Sequence, residues 1–182
     1  MKKSFVLVLV FSVALVCVTL SCKRQVAGEI SEEQAKAFMA DALKLWNEGN
    51  LAVVDKWFSP DFVLHDPMYP EPIVGIKAFK DVLSGESKTF PDGNLKFEDL
   101  LIKGDRIVSI WTWTATNSGP MVLPSGEIPP TGNKLNYPGV AVCRLVNGKV
   151  VEFWFYYNPL SVFLPLGFTL NPPQLPKPEV KK

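Results

Sequence analysis

Residues 140–158 read VAVCRLVNGKVVEFWFYYN. Asn147-Gly148 between two apolar runs is a strong hairpin signal, because both residue types accept the positive φ that a two-residue turn demands. Lys134 to Val146 and Lys149 to Tyr157 are therefore expected to pair as antiparallel strands. Side chains alternate along a strand. Glu152, Trp154, Tyr156 and Asn158 share one side of the second strand, and Val151, Phe153, Phe155 and Tyr157 share the other. The second set reads as core. The register of the hairpin decides where Arg144 goes. A strict two-residue turn sets it opposite Val151, away from Glu152; a three-residue bulged loop puts Arg144 and Glu152 on one face.

Upstream of this hairpin the pattern is again β-rich over Leu95–Ile102 and Arg106–Thr116, with Lys103-Gly104-Asp105 as the turn between them. A Pro/Gly-rich loop spans Asn117–Gly132. Before Phe90-Pro91-Asp92-Gly93 the period is helical. Ser31 and Gln34 form a capping box, and Ala35, Phe38, Met39, Ala42, Leu45 and Trp46 follow at helical spacing up to Gly49-Asn50. Shorter helices fit Leu51–Phe58 and Gly75–Leu83, with a strand at Phe62–His65 between them. Helices first and long strands second predict an α+β layer, a sheet with helices on one face. Long strands twist, so the sheet curls into a cone with an interior hollow.

The chain has 182 residues, 47% of them hydrophobic, and a formal net charge of +1. That is enough for one ordinary domain, and without a basic aromatic-rich run it excludes nucleic acid as an expected partner. Residues 1–21 are expected to be an export signal: Lys2 and Lys3 precede an apolar run that ends at Ser21. Small Ser21 before Cys22 is similar to a lipobox, which implies cleavage there and acylation of Cys22. Residues 22–30 then form a lipid-attached tether, 31–168 the domain, and 169–182 a Pro-rich tail. The expected location is the bacterial cell envelope, membrane-attached. Cys143, in the run Val140–Cys143, reads as a small buried hydrophobe. One His and one Cys in the mature domain cannot build a closed zinc site, so neither metal nor other cofactor is expected.

The order of short motifs adds a resemblance. His65-Asp66-Pro67, Phe90-Pro91-Asp92, Gly104 to Val108, Pro129-Pro130-Thr131-Gly132, Asn147 to Trp154 and Leu166-Gly167 together resemble the SnoaL-like polyketide cyclase (ester cyclase) branch of the nuclear-transport-factor-2-like superfamily. The resemblance implies a cone of curved antiparallel sheet closed by three helices, with a small hydrophobic molecule inside. It implies ring closure by aldol condensation without metal or cofactor. It places the catalytic acid four residues after Trp154, where this chain has Asn158, and a His where it has Asn117. An amide cannot shuttle protons but can orient a carbonyl.

Candidate residues follow from both lines. His65, the only histidine, is the expected proton carrier, and Asn158 the orienting amide. Trp111 and Trp113 share a strand face and, with Trp154, Tyr156 and Asn158, are expected to line the hollow. Arg144 and Glu152 are the candidate charged contacts to a ligand. Two alternatives use the same fold: a non-catalytic envelope module that binds a hydrophobic ligand, and a structural domain that pairs with a second copy as a homodimer or with another envelope protein.

Overall fold

The computed structural model describes residues 29–123 and 126–172. The leader, Cys22, most of the tether and the tail beyond residue 172 lie outside them. The chain begins with α1 (Glu32–Glu48), α2 (Ala52–Trp57), β1 (Phe58–His65), β2 (Ile73–Val74) and α3 (Ile76–Thr89). It continues with β3 (Asn94–Lys103), β4 (Arg106–Thr116), β5 (Met121–Leu123), β6 (Gly126–Ile128), β7 (Lys134–Val146), β8 (Lys149–Tyr156) and α4 (Leu160–Phe163). The main sheet has the order β2-β1-β8-β7-β4-β3. This is the nuclear-transport-factor-2-like α+β fold, with a curved sheet and few helices.

The sheet is mixed, which corrects the antiparallel expectation. β1 runs parallel to β8, pairing His65 with Trp154 and Leu64 with Phe153. Two chain-distant strands can adopt either direction, and no turn signal in the sequence reports on that pairing. The Pro/Gly loop also holds a small hairpin, β5–β6, beside the main sheet.

Helix α1 starts where the capping box predicts. Ser31 Oγ accepts from the Gln34 N–H at 3.1 Å, and Gln34 Oε1 accepts from the Ser31 N–H at 3.4 Å. Its apolar stripe buries Ala35, Phe38, Met39, Ala42 and Leu45 against the sheet. The buried Asp41 interrupts that stripe for a structural reason. It accepts from Lys44 Nζ at 2.8 Å, Lys56 Nζ at 2.6 Å and Trp57 Nε1 at 2.9 Å, tying α1 to α2. The Lys44 bond, then those of Lys56 and Trp57, hold its carboxyl well below the usual carboxylate range.

The β7–β8 hairpin contains the irregularity that orients everything downstream. Val146 pairs with Lys149 and Leu145 with Val150, as a two-residue turn requires. The next pair is Arg144 with Glu152, so Val151 is an extra, bulged residue. Leu145 and Val150 both face the core, and so do Cys143 and Phe153. Without the bulge, Glu152 and Trp154 would occupy the places that Phe153 and Phe155 take. A similar bulge interrupts β3 between Phe97 and Asp99.

Candidate functional site

The central strand β7 turns small side chains inward: Gly139, Ala141 and Cys143. Its neighbours turn large ones inward: Trp111 and Trp113 on β4, Phe153 and Phe155 on β8, with Tyr157 just beyond. Small residues flanked by aromatic ones leave a hollow between the sheet and helices α1 and α3. The hollow offers about 80 Å³ to the centre of a water-sized sphere, room for a small organic molecule. Phe38, Leu45 and Trp46 of α1 and Glu86 and Phe90 at the end of α3 close it.

Each of the two tryptophans is seated on a glycine. A Cβ on Gly139 would lie 2.2 Å from the Trp111 ring, and one on Gly93 2.4 Å from the Trp113 ring. Trp111 is then held edge-to-face by Tyr137, Phe155 and Tyr157 at 5.8–6.0 Å between ring centroids. Among the described residues its Nε1 is the one buried side-chain polar atom without a hydrogen-bond partner.

Two carboxyl groups interrupt the apolar lining. Asp66 follows β1 on the inward side, and its Oδ1 accepts from the Met68 N–H and the Tyr157 hydroxyl, both at 2.8 Å. Burial raises its pKa, and those two donors oppose the rise. Glu86 makes no side-chain hydrogen bond among the described residues. It is half-buried and lines the cavity. Burial first, and then the charge of Asp66, push its carboxyl up to about 8. Burial keeps the proton on a carboxyl, and a second carboxyl nearby strengthens that hold. Burial, aided by the two carboxyls, also pushes the Tyr137 and Tyr157 hydroxyls up. Burial alone does the same to the Cys143 thiol, which fits its reading as an inert hydrophobe.

The structure divides the sequence-predicted residues between two faces. Trp111 and Trp113 line the cavity. Trp154, Tyr156, Asn158, Glu152, Arg144 and His65 do not, which corrects the expectation for that face. One layer of helices covers one side of the sheet, so core and cavity share that side. The bulge at Val151 gives it to Phe153 and Phe155. On the opposite side His65 stacks on Trp154 at 5.3 Å between rings, and its Nε2 lies 3.1 Å from Glu152 Oε1. Arg144 Nη2 donates to Glu152 Oε2 at 3.2 Å; the turn is the strict two-residue one, and the bulge at Val151, not a three-residue loop, brings the two onto one face. The Arg106 guanidinium lies over Trp154, 5.5 Å from the ring centroid. Tyr156 is 58% exposed. Asn158 accepts the Leu160 N–H at 3.1 Å, closing an Asx turn at the start of α4.

Asn117 has a structural task as well. It is fully buried, donates from Nδ2 to the Gly119 carbonyl at 2.9 Å, and accepts from the Thr131 N–H and hydroxyl at 2.8 and 2.9 Å. It thereby clamps both ends of the Pro/Gly loop. Sequence reasoning missed both Asp66 and Glu86, and for Glu86 a signal existed. Phe79, Leu83, Glu86 and Phe90 fall at i, i+4, i+7 and i+11, so the acid sits on the apolar stripe of its helix.

The family model for SnoaL-like polyketide cyclases matches residues 35–165. The chain belongs to that family. Among solved structures, TsrD from Streptomyces laurentii is 22% identical with a TM-score of 0.66, over 76% of this chain and 98% of its own. AclR from Streptomyces galilaeus is 29% identical with a TM-score of 0.63, over 75% and 98%. A Mycobacterium tuberculosis LEH-like epoxide hydrolase shares the fold at 13% identity and a TM-score of 0.57, over 74% and 90%. No curated protein matches the chain.

Proposed function

We propose that this SnoaL-like domain binds a small, largely apolar molecule in its cone and exchanges a proton with it through the Asp66–Glu86 pair, without a cofactor. The observation that carries the reading is Glu86: an unpartnered carboxyl in an apolar cavity, beside a second carboxyl that already has two donors. A carboxyl brought near neutral pH can act as acid and as base in turn. Cyclase- or isomerase-type chemistry needs no more than that from the protein. Infrared spectra collected from about pH 6 to about pH 10 should show a protonated carboxyl that titrates near 8 and is missing in Glu86→Gln. If no carboxyl titrates in that interval, the acid–base reading falls. A non-catalytic binding module is then the better reading. It already has support from Asn158 and Asn117, which serve turns at the two positions where the family carries its acid and its His.

The proposal extends to location. Lys2 and Lys3, the apolar run after them and Ser21 before Cys22 support export and lipid attachment at Cys22 to an envelope membrane. Cys22→Ala should shift the protein from the detergent phase to the aqueous phase on phase partitioning. Unchanged partitioning of a processed Cys22→Ala protein would refute the lipid. Pairing of two copies through the helix-free sheet face, which carries exposed Leu101, Ile110 and Tyr156, is the corresponding proposal for assembly. A monomer at high concentration in sedimentation analysis would contradict it.

A further inference from the structure

The charge of the cavity is one-sided. Among the described residues its polar lining includes the carboxyls of Asp66 and Glu86, the hydroxyls of Ser109, Tyr137 and Tyr157, and the thiol of Cys143, and no Lys, Arg or His lines it. Most of the remaining wall is aromatic, including Trp46, Phe90, Trp113 and Phe155. A space lined by two acids and aromatic rings, with no base among the described residues, discriminates strongly by charge.

We propose that the ligand of this cone carries a protonated amine on an apolar body, with the ammonium seated at Glu86 and Asp66 and the carbon skeleton against Trp46, Trp113 and Phe155. This rests on the reading of the cone as a small-molecule site. Three ligand charges can be compared. An anion meets two acids and no donor cation. A neutral molecule can gain hydrogen bonds from the two carboxyls but offers neither of them a counter-charge. A cation compensates Asp66, turns Glu86 into a second counter-charge, and gains cation–π contacts in a desolvated site. No covalent step is involved. The ammonium keeps its protons, and Glu86 gives its own to solvent on binding. The groups that face Glu86 are Asp66 after β1, Tyr69 in the loop that follows, Tyr137 of β7 and Tyr157 after β8. The upward shift of all three tyrosine hydroxyls, Tyr69 to about 12, agrees with a negative interior.

The test uses the full chain purified from an exporting host and three probes of one shape: cyclohexylmethylamine, cyclohexylmethanol and cyclohexanecarboxylate. Calorimetric titration in buffers of different ionisation enthalpy, at several pH values between about 6 and 9, measures affinity and protons released. The amine should bind about tenfold or more tighter than the alcohol. Below about pH 8 it should release close to one proton per site, and its affinity should rise with pH up to that value. In Glu86→Gln, with the fold checked by circular dichroism, both the proton release and most of the preference should disappear. An alcohol or carboxylate that binds as tightly as the amine overturns the proposal and leaves the cone reading standing. Amine preference without proton release, or preserved in Glu86→Gln, seats the ammonium elsewhere and also overturns it. If none of the three binds, the proposal and the cone reading fail together.

Discussion

Glu86→Gln is expected to stabilise the domain at alkaline pH by on the order of 4 kcal/mol and to leave it unchanged near pH 4. The sign follows from the direction of the shift. An unfolded glutamate ionises near 4.5, while the folded one holds its proton to about 8. Over that interval the native state binds more protons than the unfolded state. The contribution of Glu86 is therefore intact below about pH 4.5 and is lost as pH rises through about 8. A glutamine has no such dependence. Urea midpoints of parent and variant at about pH 4 and about pH 9 give the comparison directly. Equal midpoints at both values would mean that Glu86 reaches water in the native state and that its carboxyl is not held neutral. A protein that keeps this acid in its cavity carries an alkaline instability that a single amide would remove, as sites built for chemistry often do.

Gly139→Ala is expected to carry a large structural cost. The new methyl would sit 2.2 Å from the Trp111 ring, well inside contact distance, and the ring is boxed by Tyr137, Phe155 and Tyr157. The backbone of β7 cannot retreat, because it is bonded to β4 and β8 on its two sides. Trp111 must therefore swing into the hollow. A stability loss of about 3 kcal/mol is expected, accompanied by a changed near-ultraviolet dichroism from the indole and weaker binding of any cavity probe. Thermal unfolding and probe titration check the two consequences. Parental values in both would show that the ring does not rest on this glycine.

Much of the fold could be read from local chemistry. The capping box at Ser31 and the Asn147-Gly148 turn are each a contract between residues a few positions apart, so they survive without knowledge of the rest of the chain. The inward set Phe153, Phe155 and Tyr157 was also legible as a set, since alternation needs only the strand. What alternation leaves open is which side the helices cover. That depends on the bulge at Val151 and on the parallel partner β1, and neither has a signature in the residues involved. The candidate site suffered accordingly. Trp111 and Trp113 were found because an aromatic pair on one strand face faces inward under either reading of the hairpin. Trp154, Tyr156 and Asn158 were misplaced because core and hollow were expected on opposite faces of the strand, whereas both lie on the face of Phe153 and Phe155. His65 and Asp66 show the same rule on the smallest scale. They are neighbours on the chain, and one stacks on the outer face while the other lies in the cavity wall.

Val151 is in this sense a spare residue. A chain shortened by this one position would keep Leu145 against Val150 and Arg144 against Glu152, and its cavity lining would be unaltered. Its hairpin would lose the added twist that a bulge brings, and with it part of the curvature that holds the hollow open. A chain lengthened by one residue anywhere between Val151 and Tyr157 has no second place to store the excess. An insertion ahead of Trp154 would rotate the aromatic run by one face and put Trp154 and Tyr156 where Phe155 and Tyr157 now line the cavity. Among length variants of this domain, losses at the hairpin are thus tolerable and gains are not, and the interior volume is set as much by chain length here as by the identity of any side chain.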